Sequence, residues 1–283
     1  MLLFPNCKIN IGLTILNKRA DGYHNLQTVF YPIPLHDVVE IIPKANHQAV
    51  SNPIQFSSTG LAINDNPQQN LCVQAYHLLK QWQPNLPPIQ IHLHKAIPMG
   101  AGLGGGSADA AFTLQLLNNI FNLQLSNTQL IHFALQLGSD CPFFIKNLPS
   151  YATSRGEELT PINLHLKGYT IVLVNPGIHV PTSWAFAALA ASKTTETHST
   201  KLPLLQAIGL PIIEWKTHIV NDFELPIFKQ YQAIQNIKET LYEYGAIYAA
   251  MSGSGSTVFG IFKNDQVPTM PIFSHYFVYS KSL

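Results

Sequence analysis

A run of glycines between residues 100 and 106 constrains this chain more than any other stretch. The segment 98–107 reads PMGAGLGGGS, and we call it the glycine loop. Glycine is unfavourable inside helices and strands, whereas it readily adopts positive φ angles and allows backbone N–H groups to approach a ligand closely. We therefore predict a loop in which the backbone, and not the side chains, does the binding.

The residues on either side of the glycine loop predict a strand before it and a helix after it. Ile89, Ile91 and Leu93 alternate with polar residues, as in a half-buried strand. Ser107 is predicted to cap a helix that continues through an alanine-rich segment. The N–H groups at a helix N-terminus carry a partial positive charge that suits phosphate. The pattern matches neither GxxxxGK[ST] nor the dinucleotide fingerprint, and a glycine hinge without a ligand is the alternative.

Composition excludes several classes of protein. The 283 residues are 46% hydrophobic and only 11% charged, with a formal net charge of +1. Such a chain offers little attraction to polyanions, so we expect no nucleic-acid partner and no membrane partner. Cys7, Cys72 and Cys141 are odd in number and widely spaced, which predicts a reducing, cytoplasmic location without disulfides or zinc. His92 and His94 share a strand but lack a third ligand nearby, so we expect ordinary strand histidines.

The rest of the chain alternates predicted strands and helices, which predicts an α+β protein. Ser126 and Gln129 match a capping box at the start of a helix that ends at Gly138. A further helix is expected from Phe228 to Gly245, and little is interpretable after residue 263. Because 283 residues suffice for two ordinary domains, we divide the chain into residues 1–160 and 161–283.

Three separated segments together resemble the GHMP kinase superfamily. They are PNCKINIGL near the N-terminus, GLGGGSADAA in and after the glycine loop, and MSGSGSTVFGIF near the C-terminus. Within it, the chain resembles the branch whose acceptor is a methylerythritol unit linked to cytidine diphosphate. The segments that select this branch are KRADGYHNLQTVFYPI, GSDCPFF, RGEELTPI and NDFE.

The resemblance implies a fold and an activity. The fold is α+β, the two-domain GHMP kinase fold, with an N-terminal domain like domain 2 of ribosomal protein S5 and a ferredoxin-like C-terminal domain. Substrates are expected in the cleft between these domains. The activity is transfer of the γ-phosphoryl group of ATP, with Mg²⁺, to the 2-hydroxyl of the acceptor, a step of non-mevalonate isoprenoid synthesis. The sequence identifies no protein ligand for the metal.

The resemblance also implies roles for individual residues. Asp140 would accept the proton of the acceptor hydroxyl, and Lys8 would keep this carboxylate ionised and neutralise charge on the phosphoryl group. The ATP phosphates would be bound by Pro98, Gly100, Gly102, Leu103, Gly104, Gly105, Gly106 and Ser107. The acceptor would be bound by Asn10, Tyr23, His24, Phe186, Gly253 and Ser254. Tyr23 and Phe186 would stack on the cytosine while His24 hydrogen-bonds its edge, although Trp184 could replace Phe186.

Several alternatives stay open at the level of sequence. Lys8 and Asp140 could form a partly solvated salt bridge of little energetic value. Cys141, next to Asp140, could be a nucleophile, although no histidine is placed to activate it. The chain could also be a superfamily member that acts on homoserine or a mevalonate phosphate, or a catalytically silent ligand sensor. Either a monomer or a homodimer is compatible with the sequence.

Overall fold

The computed structural model describes residues 1–44, 53–63, 66–192, 202–264, 267 and 269–283. Their strands are β1 (Leu2–Leu3), β2 (Asn6–Lys18), β3 (His24–His36), β4 (Val38–Pro43), β5 (Ile54–Gly60), β6 (Ile89–Lys95), β7 (Ser150–Thr153), β8 (Glu158–Pro161), β9 (Tyr169–Asn175), β10 (Tyr248–Met251), β11 (Val258–Lys263) and β12 (Phe277–Ser282). Their α-helices are α1 (Leu71–Trp82), α2 (Gly105–Ile120), α3 (Asn127–Leu137), α4 (Cys141–Lys146), α5 (Thr182–Ser192), α6 (Leu204–Ala207), α7 (Ile212–His218), α8 (Glu224–Gln230) and α9 (Gln232–Glu243). In this part of the chain, no helix combines the length and the apolarity needed to cross a bilayer.

One compact unit consists of residues 1–7, 32–99 and 104–148. Its sheet has the strand order β1-β4-β6-β5, in which only β5 and β6 run parallel. Ile41 of β4 pairs with Ile91 of β6, and both side chains are buried. Since side chains alternate between the two faces of a strand, Glu40 lies on the opposite face of β4. Helix α2 contacts β4, α1, α3 and α4, and thereby joins the helical layer to the sheet.

The other compact unit consists of residues 8–31, 100–103 and 149–283. It contains an antiparallel sheet of order β10-β11-β9-β12, and most of the strands of a second sheet of order β2-β3-β7-β8. Helix α9 packs on β10 and β11 through Ile234, Ile237 and Leu241, which are buried in the apolar core of this unit. The helical spacing of these residues explains why α9 forms against the sheet.

The units are not continuous in sequence. The chain passes from one to the other after residues 7, 31, 99, 103 and 148, so that two of the crossings, after residues 99 and 103, fall inside the glycine loop. A division of the chain at a single point between residues 160 and 161 stays a prediction. The mixture of helices and antiparallel sheets confirms the predicted α+β class.

Local signals predicted the capping box well and the start of α2 poorly. Ser126 accepts a hydrogen bond from the N–H of Gln129, whose side chain bonds back to Ser126, and α3 ends before Gly138 as expected. In contrast, Ser107 does not cap α2, because the helix already begins at Gly105. Gly104 occupies the N-cap in the left-handed conformation, with φ of 69°. Glycine adopts this conformation without steric cost, which lets the helix start earlier than a serine cap would.

One further expectation about the C-terminal part was wrong, and one stretch there had no predicted structure. The predicted helix from Phe228 to Gly245 is interrupted at Tyr231, whose φ of −127° and ψ of 78° separate α8 from α9. The apolar spacing continues across this break, which is why the pattern alone did not reveal it. Within the stretch after residue 263, Phe277–Ser282 form β12, which pairs with β9. Strand β12 lies at the edge of its sheet with mostly exposed residues, so its sequence carries little alternation.

Candidate active site

The glycine loop alternates left-handed glycines with buried apolar residues. Gly100, Gly102 and Gly104 have φ of 60°, 76° and 69°, while Ala101 and Leu103 are 3% and 1% exposed. Residues with a Cβ rarely adopt these positive φ angles, so the loop needs glycine at the alternate positions. The loop leads into the N-terminus of α2, which has no side-chain cap. The positive φ angles at these glycines are the feature of the loop that the sequence predicted.

Gly102 lies against a second glycine-rich turn, formed by residues 252–257. A Cβ on Gly102 would be 2.0 Å from the carbonyl oxygen of Ser252. The hydroxyl of Ser252 donates to the carbonyl oxygen of Gly102 over 2.8 Å, and the N–H of Thr257 donates to the carbonyl oxygen of Ala101 over 3.2 Å. Two of the three segments that carry the family resemblance are therefore in direct backbone contact, and only a residue without a side chain fits at position 102.

Lys8 and Asn10 join the same cluster from strand β2. Lys8 is 3% exposed, and its Nζ donates to Asn10 Oδ1 over 2.5 Å and to the carbonyl oxygen of Gly102 over 3.2 Å. The ammonium also lies 4.9 Å from the ring centroid of Phe30. Asn10 Nδ2 donates to the Thr28 hydroxyl over 3.0 Å. The Asn10 amide thus orients the lysine, a contact that the sequence did not predict.

The segment NDFE holds the second turn, which the sequence analysis did not foresee. Asn221 Nδ2 donates to the carbonyl oxygens of Met251 and Gly253, each over 2.8 Å. Glu224 accepts from the N–H of Met251 over 2.8 Å and pairs with Lys238 over 2.6 Å. Both residues are buried polar groups. The available signal was a set of hydrophilic residues ahead of a predicted helix, and this signal does not reveal contacts across thirty residues.

Asp140 lies at the N-cap of α4, in the short turn that follows α3. Pro142 is in the first turn of α4, where its missing N–H costs nothing. The Asp140 carboxylate makes no capping hydrogen bond to this helix. The neighbouring Cys141 is fully buried, and this burial raises the pKa of its thiol to about 12, although a hydrogen bond from Ser107 opposes the shift. Because a nucleophilic cysteine needs a lowered pKa, the structure argues against a catalytic Cys141.

The turn that carries Tyr23 is held by two arginines. Arg19 Nη1 donates to the Ser154 hydroxyl over 2.8 Å, and the backbone N–H of Arg19 donates to the backbone carbonyl oxygen of Tyr23 over 2.7 Å. The Arg155 guanidinium lies 4.6 Å from the ring centroid of Tyr23, and it pairs with Glu157 over 3.2 Å. The Tyr23 side chain is itself 54% exposed. These contacts fix an accessible aromatic ring, and they connect two of the sequence segments that select the branch.

Phe186 and Trp184 have different surroundings on α5. The ring of Phe186 stacks on His24, with centroids 4.5 Å apart and planes inclined by 13°. Trp184 packs edge-on against Tyr231 over 5.7 Å, at the margin of the unit's apolar core. Phe186 is therefore the aromatic residue of α5 that contacts one of the two residues predicted to bind cytosine.

The predicted site residues fall into groups. Lys8, Asn10, Gly102 and the turn 252–257 share one cluster, and Ser107 contacts the residue that follows Asp140. The predicted pairing of Lys8 with Asp140 joins residues of different compact units and stays a prediction.

The two strand histidines of β6 take part in a side-chain network. His92 hydrogen-bonds the hydroxyls of Ser57 and Thr59 over 2.9 and 3.0 Å, and His94 bonds Thr59 over 3.0 Å. Their ring nitrogens bond hydroxyl groups of the neighbouring strand β5. Across the described residues, there is no group of three or more His, Cys, Asp and Glu side chains that could hold a metal ion.

Comparison with protein families matches both halves of the chain. The model of the N-terminal domain of GHMP kinases matches residues 70–147, and the model of their C-terminal domain matches residues 211–268. The first stretch includes the glycine loop and Asp140. The second includes Asn221 and the turn 252–257.

Individual proteins are similar over the full length. The 4-diphosphocytidyl-2-C-methyl-D-erythritol kinase of Bacteroides fragilis (strain YCH46) is 48% identical over 283 residues, covering 100% of both chains. The protein of that name from Parabacteroides distasonis is 45% identical over 286 residues, again covering 100% of both. A solved structure of 4-(cytidine 5'-diphospho)-2C-methyl-D-erythritol kinase is 27% identical, with a TM-score of 0.78 over 99% of this chain and 98% of that one.

A crystal structure of mevalonate kinase shares the fold at much lower identity. It is 12% identical, with a TM-score of 0.68 over 99% of this chain and 98% of its own. The GHMP kinase fold that the sequence predicted is therefore confirmed.

Proposed function

Because this small-molecule kinase belongs to the 4-diphosphocytidyl-2-C-methyl-D-erythritol kinases, a family of the GHMP kinases, we propose that it phosphorylates the 2-hydroxyl of that alcohol with ATP. The step belongs to the non-mevalonate synthesis of isoprenoid precursors. The observation that carries the proposal is 48% identity to a kinase of this name across the whole chain. The two interlocked glycine-rich turns add the backbone expected for binding a polyphosphate.

The ATP phosphates are proposed to bind the glycine loop. Left-handed glycines without side chains allow backbone N–H groups to approach a ligand closely, and the N-terminus of α2 adds a partial positive charge. The residues we assign to this role are Pro98, Gly100, Gly102, Leu103, Gly104, Gly105, Gly106 and Ser107. Since the described residues offer no cluster of metal ligands, we expect Mg²⁺ to bind together with ATP, mainly through the phosphates.

Asp140 is the proposed general base. A tertiary alcohol is a weak nucleophile, and a carboxylate within hydrogen-bond reach can accept its proton as the new O–P bond forms. The family resemblance assigns this role to Asp140, which lies in the stretch 70–147 matched by the N-terminal domain of GHMP kinases. Lys8 would neutralise charge on the transferring phosphoryl group, and its position is held by Asn10 and by the carbonyl oxygen of Gly102.

The cytosine is proposed to stack on Tyr23 and Phe186, with His24 at its polar edge. Arg155 already holds the ring of Tyr23, and the ring of His24 covers one face of Phe186. For the base to lie between Tyr23 and Phe186, either His24 leaves that face or the base uses the opposite one. We assign the rest of the acceptor to Asn10, Gly253 and Ser254, since Gly253 lies beside the amide of Asn10.

Replacing Phe186 by Ala should raise the KM for the cytidine-linked acceptor about tenfold and change kcat and the KM for ATP little, because stacking is worth roughly 1–3 kcal/mol per base. Steady-state kinetics with each substrate varied in turn measures this effect. The matched variant is Trp184→Ala on the same helix, which should lower the free energy of unfolding without a selective change in the acceptor KM. If only Trp184→Ala raises the acceptor KM, Trp184 is the stacking residue.

The proposed activity is tested by coupled ADP release with three acceptors. 4-Diphosphocytidyl-2-C-methyl-D-erythritol should support turnover, whereas homoserine and mevalonate phosphate should not. Turnover with another acceptor alone would replace the proposed substrate, and ATP binding without turnover on any of them would indicate a ligand sensor.

We further propose a cytoplasmic enzyme, in keeping with three buried cysteines that form no disulfide. Measurement of its mass in solution would distinguish a monomer from a homodimer.

A further inference from the structure

A buried cluster of three charged side chains lies next to the start of α2. Lys95, at the end of β6, forms ion pairs with Asp37, ahead of β4, and with Asp109 of α2, the latter over 2.7 Å. The three residues are at most 2% exposed. Asp37 also accepts hydrogen bonds from the N–H groups of Ala96 and Ile97, over 2.6 and 2.8 Å. The cluster therefore ties helix α2 to the sheet of its unit and to the segment that enters the glycine loop.

The ammonium of Lys95 also contacts the glycine loop. A Cβ on Gly105, the first residue of α2, would lie 3.0 Å from Lys95 Nζ and 2.9 Å from Ile97 Cγ2. Position 105 has an ordinary helical conformation, so this close approach, and not its φ angle, is what favours glycine here. Asp109 lies one helical turn further along, on the same face of α2. The helix start is thus positioned by a lysine beneath it and by a carboxylate one turn away.

The charges of the cluster do not balance when all three groups are ionised. One lysine then faces two carboxylates, which leaves a net charge of −1 close to a loop proposed to bind anions. Asp109 Oδ1 has no hydrogen-bond partner among the described residues, although it is buried. Burial raises the pKa of Asp109 to about 7, with Asp37 adding to the shift and Lys95 opposing it. A neutral Asp109 restores the balance.

Three neighbouring titratable side chains, those of Cys72, His36 and Lys95, keep the same protonation state around neutral pH. The thiol of Cys72 on α1 faces Asp109, and burial raises its pKa far above the usual range, so it stays protonated. His36 adjoins Asp37, and burial lowers the pKa of its imidazole, so it stays neutral. Lys95 stays charged, because its two carboxylates raise its pKa against the effect of burial. Asp109 is therefore the member of this group that titrates near pH 7.

We propose that Lys95, Asp37 and Asp109 are positioning residues for the phosphates of ATP, and that phosphate binding is accompanied by uptake of a proton from solvent onto the Asp109 carboxylate. The proposal rests on the assignment of ATP to the glycine loop. Bound phosphate adds negative charge near an ionised Asp109, which favours the protonated form. By linkage, protonation of Asp109 must strengthen phosphate binding to the same extent, so affinity should fall as pH rises through the Asp109 pKa.

The experiment is calorimetric titration with AMPPNP and excess Mg²⁺ at pH 7.5, in buffers that differ in ionisation enthalpy. The variant is Asp109→Asn, which keeps the size of the side chain and cannot titrate. The difference in protons taken up between the natural chain and the variant should be about 0.3–0.5 per nucleotide. Glu40→Gln is the matched control, since it removes one carboxylate from the opposite face of the same sheet, and it should keep the proton uptake of the natural chain.

The outcomes separate this proposal from the proposed function. Equal proton uptake in the natural chain and in Asp109→Asn would overturn the role of Asp109, while binding of AMPPNP would leave the kinase assignment intact. Absence of AMPPNP binding to the natural chain would instead contradict the proposed function. If Asp109→Asn does not fold, the natural chain alone still tests the proposal. Its affinity for AMPPNP should weaken about threefold to tenfold between pH 6.5 and 8.5. A constant affinity over that range would also overturn the proposal.

Discussion

The Asp140→Asn variant should lose at least about a hundredfold in kcat while its affinity for ATP stays nearly unchanged. Asparagine has the size and shape of aspartate but cannot accept a proton from the acceptor hydroxyl. The effect should therefore appear in the chemical step and not in nucleotide binding. Single-turnover phosphoryl transfer, combined with direct measurement of ATP binding, separates these two quantities.

Cys141→Ala provides the control for Asp140, because it changes the adjacent residue and tests the alternative of a thiol nucleophile. The buried thiol has a pKa raised to about 12, so its removal should change kcat only a few-fold, through the lost contact with Ser107. A variant Asp140→Asn with the turnover of the natural chain would remove Asp140 from the proposed mechanism. A loss of activity confined to Cys141→Ala would point to the thiol.

Gly102→Ala should destabilise the chain by about 3 kcal/mol or more and abolish tight ATP binding. Two costs add at this position. The φ of 76° is strained for alanine, and the new Cβ would lie 2.0 Å from the carbonyl oxygen of Ser252, a backbone atom that cannot rotate away. The two glycine-rich turns would have to separate, which also disturbs the carbonyl oxygen that accepts from Lys8. Urea unfolding and nucleotide titration measure the two effects.

Gly106→Ala is the matched control for stability, since it is a glycine-to-alanine change four residues away. Gly106 is helical, and its new Cβ would meet only Leu71 Cδ1, at 3.8 Å. Because alanine is favoured over glycine in a helix by up to about 1 kcal/mol, the free energy of unfolding should stay the same or rise. Equal stability of the two variants would show that the contact between Gly102 and Ser252 does not constrain the loop.

Local signals in the sequence predicted much of the fold. Strict alternation predicted β6, and the capping box at Ser126 predicted the start of α3. These elements follow from interactions between residues that are close in the chain, where side-chain type and spacing decide the conformation. The strand β12 escaped prediction because an edge strand gains little from apolar alternation, and the break at Tyr231 escaped because the residues on both sides keep helical spacing.

The candidate site also has features that local sequence signals predict and features that they do not. The sequence indicated a phosphate-binding loop because only glycine tolerates the positive φ angles at Gly100, Gly102 and Gly104. It did not indicate that Asn221 fixes the turn at Gly253, or that Phe186 and not Trp184 contacts His24. Such contacts join residues far apart in the chain, and no local pattern specifies which distant side chain will satisfy a given carbonyl oxygen or ring face.

The amino-acid sequence alone thus determined the α+β class, the family resemblance and the backbone character of the glycine loop, since each depends on residue types at short spacing. Tertiary structure alone decided that Gly102 fits against Ser252, that Lys8 is oriented by Asn10, and that Lys95 lies beneath Gly105 beside two carboxylates. The physical reason is burial. Folding brings distant segments into contact, which sets the steric limits, and it removes water from between them, which strengthens their hydrogen bonds and charge interactions.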